Sequence, residues 1–244
     1  MNRYSAFATH LGISLAIFAF LAYLVVYIWY PDFFFASDGG WQGIRIIVAV
    51  DLVLGPLLTL IVFKPGKPGL KMDLTLIALF QAACLMAGVY IVESERPVAL
   101  VYVDGRFSSV SADTYRNAGV KIPDLSDIPG DYPKWVTVVL PEDPQEEAGI
   151  RALMFLTERP LNTAHEYYVP FDRWDPELHE HAYSLDEIRE RDQETQVLPV
   201  WLAQHGGEAS DYRYYPFGTR YSYAFLAMSK DTAMVDLLDV PGPP

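Results

Sequence analysis

The 244 residues carry 31 acidic and 18 basic side chains, a net charge of −13, and a single cysteine among 51% hydrophobic residues. That balance excludes charge-driven binding of nucleic acid phosphates, which takes Lys and Arg, and makes anionic lipid headgroups poor partners. One cysteine, Cys84, excludes a disulfide framework and a multi-cysteine metal or redox module.

Residues 11–30, 46–63 and 74–92 are apolar runs of 18 to 20 residues that share one charged residue, Asp51. About 20 residues of helix cross a bilayer core of about 30 Å. No such run recurs after residue 92. Residues 1–92 hold five basic and four acidic residues, whereas the remaining 152 hold 13 and 27. This predicts a three-helix transmembrane anchor over residues 1–92, with helices at about 11–30, 44–63 and 73–92. An acidic domain over 93–244 follows, large enough for its own core.

The first run is longer than a signal-peptide core and ends in Trp29-Tyr30-Pro31-Asp32-Phe33-Phe34-Phe35, so it reads as an uncleaved anchor. Its terminal aromatics suit the interfacial belt. Residues 31–43 contain two Asp and no Lys or Arg, whereas residues 64–72 contain three Lys. Positive loops stay cytoplasmic, which places the N-terminus inside and residues 93–244 outside the cytosol. In a Gram-negative bacterium that is the periplasm. The two Pro and two Gly of the Lys loop predict a tight connection between antiparallel neighbours.

Asp51 lies about 10 Å along the second predicted helix at 1.5 Å per residue. A carboxylate there costs a few kcal/mol unless protonated or paired. Asp51, Gly55 and Thr59 recur every four residues on one face, and Gln81, Cys84 and Gly88 form a similar stripe on the third helix. Small and polar residues let another helix approach. Two readings are open. Either the stripes face each other inside the anchor, or they form a partner-binding or proton-handling face. Pro56 is expected to bend the second helix. Arg45, six residues from Asp51, points to another face and snorkels at the outer interface.

In the second half, strands at 97–103 and 106–111 flank Asp104-Gly105, the signature of a type I′ hairpin. Ser111 is placed to cap a short helix ending at Gly119. Residues 122–133 read as loop and 135–140 as strand. Asp143-Pro144-Gln-Glu-Glu opens a helix to about Thr157. Ser184-Leu-Asp-Glu187 is a capping box opening a second long helix, interrupted at Pro199 and stopped by Gly206-Gly207. Strands at 220–228 and 232–238 form a last hairpin. Together these elements predict an α+β class.

Motifs of the nucleophile elbow, zincin, P-loop and dinucleotide fingerprint are missing. His179-Glu180-His181, with Asp175 and Glu177 nearby, is the best metal candidate. It lacks the spacing of a zinc site and reads as a solvated acidic loop. No catalytic residue, metal or cofactor is therefore expected. Tyr167-Tyr168, Tyr212-Arg-Tyr-Tyr215 and Tyr221-Ser-Tyr223 read equally as interface anchors or half-buried core.

The anchor also carries a longer pattern. Asp38-Gly39-Gly40-Trp41-Gln42-Gly43-Ile44-Arg45 leads to Val50-Asp51-Leu52-Val53-Leu54-Gly55-Pro56-Leu57-Leu58-Thr59, with Ala6-Phe7 and His10-Leu11-Gly12 before it and Arg96-Pro97-Val98 after. Over roughly residues 1–110 this resembles the TfpX/TfpZ family of type IV pilin accessory proteins. The resemblance implies a multi-pass protein of the Gram-negative inner membrane that assists assembly, stability or function of a cognate type IV pilin. It implies no catalytic residues. Its marks are Asp38, Gly39, Gly40, Trp41, Arg45, Asp51, Gly55 and Pro56.

The expectation is a non-enzymatic accessory protein whose partners are a cognate pilin and the pilus assembly machinery, with no nucleic acid. One form has Asp51 and Gly55 receiving a pilin helix. The alternative is a membrane-tethered enzyme using His179 and His181. A signalling role is disfavoured because the predicted cytosolic segments are only about ten residues each.

Overall fold

Main-chain polar groups in a lipid interior have no water to bond, so an apolar run that crosses it folds as helix. In the computed structural model, which describes residues 2–219, 221, 223–231 and 234–243, the chain divides into two compact units, Met1–Arg96 and Pro97–Pro244.

The first unit has three helices long and apolar enough to cross a membrane, Arg3–Trp29, Gly40–Val62 and Leu70–Glu95. Each outruns its apolar stretch, because hydrogen bonding continues through polar ends that hydropathy does not register. Helix α1 (Arg3–Tyr23) starts at Arg3 rather than near residue 11, with the Asn2 side chain accepting from the Ser5 N–H at 2.8 Å, and continues as a π-helical segment, Leu24–Trp29. After a short α2 (Phe34–Ser37), the second span is built from α3 (Gly40–Ile47), a π-helical segment Val48–Leu54 and α4 (Gly55–Val62). The expected bend at Pro56 is thus a change of helical register. Pro56 has no N–H to donate, and the preceding Gly55 N–H reaches back five residues to the Val50 carbonyl. The third span is α5 (Leu70–Glu95).

Spans two and three are antiparallel. An added Cβ on Gly43 would meet Val92 Cγ2 at 2.9 Å, one on Gly88 would meet Ile46 Cγ2 at 3.5 Å, and one on Gly55 would overlap the Gln81 amide. The Lys loop is tight, with Lys67 N–H donating to the Lys64 carbonyl at 3.1 Å and Leu70 N–H to Lys67 at 3.3 Å. Tyr30 departs from the interfacial expectation. It is buried, and its hydroxyl donates to the Val92 carbonyl at 2.7 Å, tying the end of the first span to the third.

The second unit is α+β. A mixed seven-stranded sheet runs β4-β3-β1-β2-β5-β6-β7, with β1 (Pro97–Val103), β2 (Arg106–Ser111), β3 (Lys134–Val138), β4 (Tyr168–Pro170), β5 (Tyr212–Gly218), β6 (Tyr223–Ser229) and β7 (Val235–Leu238). Strands β1 and β3 and strands β2 and β5 pair in parallel, and the other pairs are antiparallel. The β1–β2 turn has φ of 50° at Asp104 and 76° at Gly105, as a type I′ turn requires. Helix α6 (Ala112–Asn117) is capped by Ser111, whose Oγ accepts from the Thr114 N–H at 3.2 Å, and packs Ala112 and Tyr115 against Ala99, Val101, Val110 and Val136. Helix α7 (Pro144–Leu156) has Asp143 as its N-cap and Pro144 in its first turn.

The predicted second long helix is instead two short ones, α9 (Leu185–Arg191) and α10 (Val197–His205). Pro199 is not the break. It lies in the first turn of α10, where its missing N–H has no helical acceptor to serve. The break lies at Asp192, which is buried and whose carboxylate accepts from the N–H groups of Val197 at 2.7 Å and Leu198 at 3.0 Å. Both helices pack on β5–β7 through Ile188, Leu198 and Trp201 against Tyr212, Tyr214 and Phe225. Arg220, Ser222, Thr232 and Ala233, at the starts of the predicted hairpin strands, lie outside the described residues.

Candidate functional site: the polar centre of the helix bundle

The first unit is apolar outside and polar at its centre. Its spans expose large hydrophobic side chains, among them Tyr27, Val53, Ile61, Leu79 and Met86, whereas Ser14, Asp51, Thr59 and Gln81 are buried. In lipid this inversion is the stable arrangement, because a polar side chain finds a partner only inside the bundle.

Because the second span begins at Gly40, Asp51 is the twelfth of its 23 residues, about 17 Å along at 1.5 Å per residue. It therefore sits at mid-span rather than near 10 Å. Its Oδ1 accepts from Ser14 Oγ at 3.1 Å, and its Oδ2 is buried with no hydrogen-bonding partner. One turn on, Gly55 exposes its main chain to Gln81. The Gln81 Nε2 is likewise buried without an acceptor. A further turn on, the Thr59 hydroxyl and His10 Nδ1 lie 2.6 Å apart. The two residues used from α1, His10 and Ser14, are four apart and share a face. The three spans thus contribute one file of polar groups, His10–Thr59, Gln81 over Gly55, and Asp51–Ser14.

Of the predicted stripe residues, Asp51, Gly55, Thr59, Gln81 and Gly88 are buried between the protein's own spans, and Cys84 is half-buried. The protein's own first and third spans occupy that face. The sequence pattern had no means of showing that α1 supplies His10 and Ser14, which sit among apolar neighbours in a run read for length alone.

The remaining motif residues build the turn into the second span. Ser37 Oγ donates to the buried Asp38 carboxylate at 2.6 Å, and Gly39 has φ of 105°, which only glycine adopts without strain. A Cβ at Gly40 would meet the Phe35 carbonyl oxygen at 2.8 Å. The Trp41 ring lies tilted against Phe35, with centres 5.2 Å apart, and carries the Arg45 guanidinium 6.0 Å from its own ring centre. Arg45 points outward, as its spacing from Asp51 predicts. Pro56 is buried at the start of α4.

In the second unit His179 lies in α8 (Pro176–Glu180), not in a loop. Its Nδ1 is 3.3 Å from Tyr215 Oη, and burial followed by the Arg213 charge holds its pKa below the usual imidazole range. His181 packs near Gly105 beside a 450 Å³ cavity also lined by Asp104, Glu142, Glu147 and Arg151. Among the described residues no three His, Cys, Asp or Glu side chains converge as a metal ion needs. The side chain of Glu177 lies outside the described residues.

The tyrosines divide. Tyr212, Tyr214 and Tyr215 are core, and burial pushes the Tyr215 hydroxyl up to about 12. Tyr115 and Tyr168 share a hydrogen bond at 2.8 Å, with burial raising Tyr115 to about 12. Tyr221 and Tyr223 are exposed, and Ser222 between them lies outside the described residues.

The chain is similar over 96 residues, 38% of its length, to fimbrial assembly proteins of Dichelobacter nodosus. It is 35% identical to the serogroups C1 and C2 protein and covers 72% of it. It is also 35% identical to the serogroup I protein and 33% identical to the serogroup E1 protein. The match spans 37% of the length of each of these two. No family model and no solved structure matches the chain.

Proposed function

We propose, on the premise that the chain belongs to the family of the serogroups C1 and C2 fimbrial assembly protein, that it is a non-enzymatic accessory protein of fimbrial assembly. In its finer form it serves a cognate type IV pilin in the manner of the TfpX/TfpZ proteins it resembles. Three spans hold it in the inner membrane of a Gram-negative bacterium. The charge difference between the 31–39 connection, without Lys or Arg, and the Lys64–Lys71 loop supports an α+β domain in the periplasm.

The observation that carries this reading is the similarity to fimbrial assembly proteins over 96 residues. A structural feature supports contact with a protein partner. Helix α7 buries only Met154 and leaves Leu153, Phe155 (84% exposed) and Leu156 (77% exposed) in solvent. Adjacent exposed apolar side chains of that size mark interaction surfaces.

Deleting the gene in its own bacterium, then measuring fimbrial subunit level and surface fimbriae separately, tests the proposal. Loss of subunit assigns stabilisation, and normal subunit without fimbriae assigns assembly. Unchanged fimbriae reject the reading. Reporter fusions after Lys67 and after Pro243 test the orientation, and active periplasmic reporter at Lys67 rejects it.

A further inference from the structure

The polar file leaves two buried groups without a hydrogen-bonding partner, Asp51 Oδ2 and Gln81 Nε2, and the first is a carboxylate oxygen. Asp51 is 5% exposed at the centre of an apolar span, and its Oδ2 has no hydrogen-bond donor. Among the described residues no ion pair involves it. Facing it across the bundle are Ser14 from the first span and, one turn along, Gln81 from the third, 6% exposed and with its own amide nitrogen unpartnered. His10, the titratable group of the first span nearest the file, is engaged with Thr59.

We propose that this centre binds one monovalent metal cation, of the sodium class, with Asp51 Oδ2 as its charged ligand. Four features carry it. The available donors are oxygens, which select hard cations over transition metals. They are the Asp51 carboxylate, the Ser14 hydroxyl, and the Gln81 amide, whose oxygen and nitrogen exchange places by a half-turn of the side-chain end. A single carboxylate matches a single positive charge, and the neutral pair removes the cost of an ion in hydrocarbon. The helix also breaks its register here. Pro56 brings no N–H, so a main-chain carbonyl of the preceding turn lacks its helical donor while Gly55 serves Val50. Interrupted spans with freed carbonyls at mid-membrane are how bundles hold such ions. Finally, two unpartnered polar groups on two apposed spans cost more than either alone, and one cation with the Gln81 oxygen turned inward satisfies both sides.

The full-length protein in detergent tests this at fixed pH and ionic strength in sodium, lithium, potassium or choline chloride. Dicyclohexylcarbodiimide adds across the O–H of a carboxylic acid, so a carboxylate holding a metal cation is protected. The peptide carrying Asp51 is followed by mass. Sodium is expected to slow labelling saturably, about tenfold at roughly ten times its dissociation constant, with no effect of choline. Ser14→Ala and Gln81→Leu should each raise the sodium needed severalfold. In parallel, sodium should raise the unfolding temperature of the wild type and not of Asp51→Asn. Labelling that follows pH and ignores every metal cation means a proton-only site and overturns the proposal, as does equal protection by choline. Should the carbodiimide not reach Asp51, or Asp51→Asn not fold, the wild-type unfolding temperature decides. No difference between sodium and choline overturns the proposal.

Discussion

Gly55 on the second span lies directly under the Gln81 amide of the third, so closely that a Cβ on Gly55 would occupy the amide's place. Along the same interface an added Cβ would meet Val92 Cγ2 at 2.9 Å from Gly43 and Ile46 Cγ2 at 3.5 Å from Gly88, so the approach at Gly55 is the tightest of the three.

Gly55→Ala should therefore destabilise the bundle by about 1–3 kcal/mol, the usual cost of overpacking. Gly55→Leu should prevent it from assembling. Adding Gln81→Ala should recover part of the Gly55→Ala loss, since residues in contact are not additive. Thermal unfolding of the four variants of that cycle in detergent measures the coupling. Strict additivity would mean that the amide does not rest on Gly55.

Tyr30→Phe removes the bond to the Val92 carbonyl and leaves the ring in place. About 0.5–1.5 kcal/mol of stability should go with it, measured by thermal unfolding.

Asp192→Ala should cost about 1–2 kcal/mol, because the carboxylate caps α10 through two main-chain N–H groups. Pro199→Ala should change stability by less than about 0.5 kcal/mol. Denaturant unfolding of the full chain distinguishes this from a helix broken by proline, for which Pro199→Ala would be the variant with the larger effect.

The Asp104 carboxylate is held below the usual range, chiefly by its hydrogen bonds from Arg151 at 2.8 and 2.9 Å. Its folded pKa lies below its unfolded value of about 3.9. The stability it contributes is present above that value and lost as pH falls through the folded pKa. Arg151→Leu should return Asp104 to the ordinary carboxylate range in an NMR titration. Near neutral pH it should cost less than about 1 kcal/mol, since both partners are about half exposed.

Phe155→Glu on α7 should leave folding intact, because the ring is exposed. If α7 is the partner surface, the same change should reduce surface fimbriae while the protein stays abundant. Immunoblotting beside a count of surface fimbriae checks both outcomes.

Local chemistry carried much of the structure. Three apolar runs mark three spans, Asp104-Gly105 marks a hairpin, and Asp143, Ser184 and Ser111 mark helix starts, because turns and caps depend on residues within four positions of one another. The misplacements have equally local causes. The spans start earlier than the apolar runs because hydropathy does not register the hydrogen bonds of polar end residues such as Asn2. The sequence points to Pro199 for the break before α10, because a capping carboxylate five and six residues away, Asp192, leaves no signature as conspicuous as proline.

By itself the sequence determined that Asp51, Gly55 and Thr59 lie on one face and that this face is too polar for lipid. Helical periodicity and the cost of polar groups in hydrocarbon suffice for that. Only the tertiary structure decided what the face meets. Ser14 and His10 come from 37 and 49 residues away on the first span and Gln81 from the third. Which helix packs on which depends on how three surfaces close together, a property no single helix carries. That closure makes the stripe an interior, with one carboxylate oxygen of Asp51 still to be satisfied.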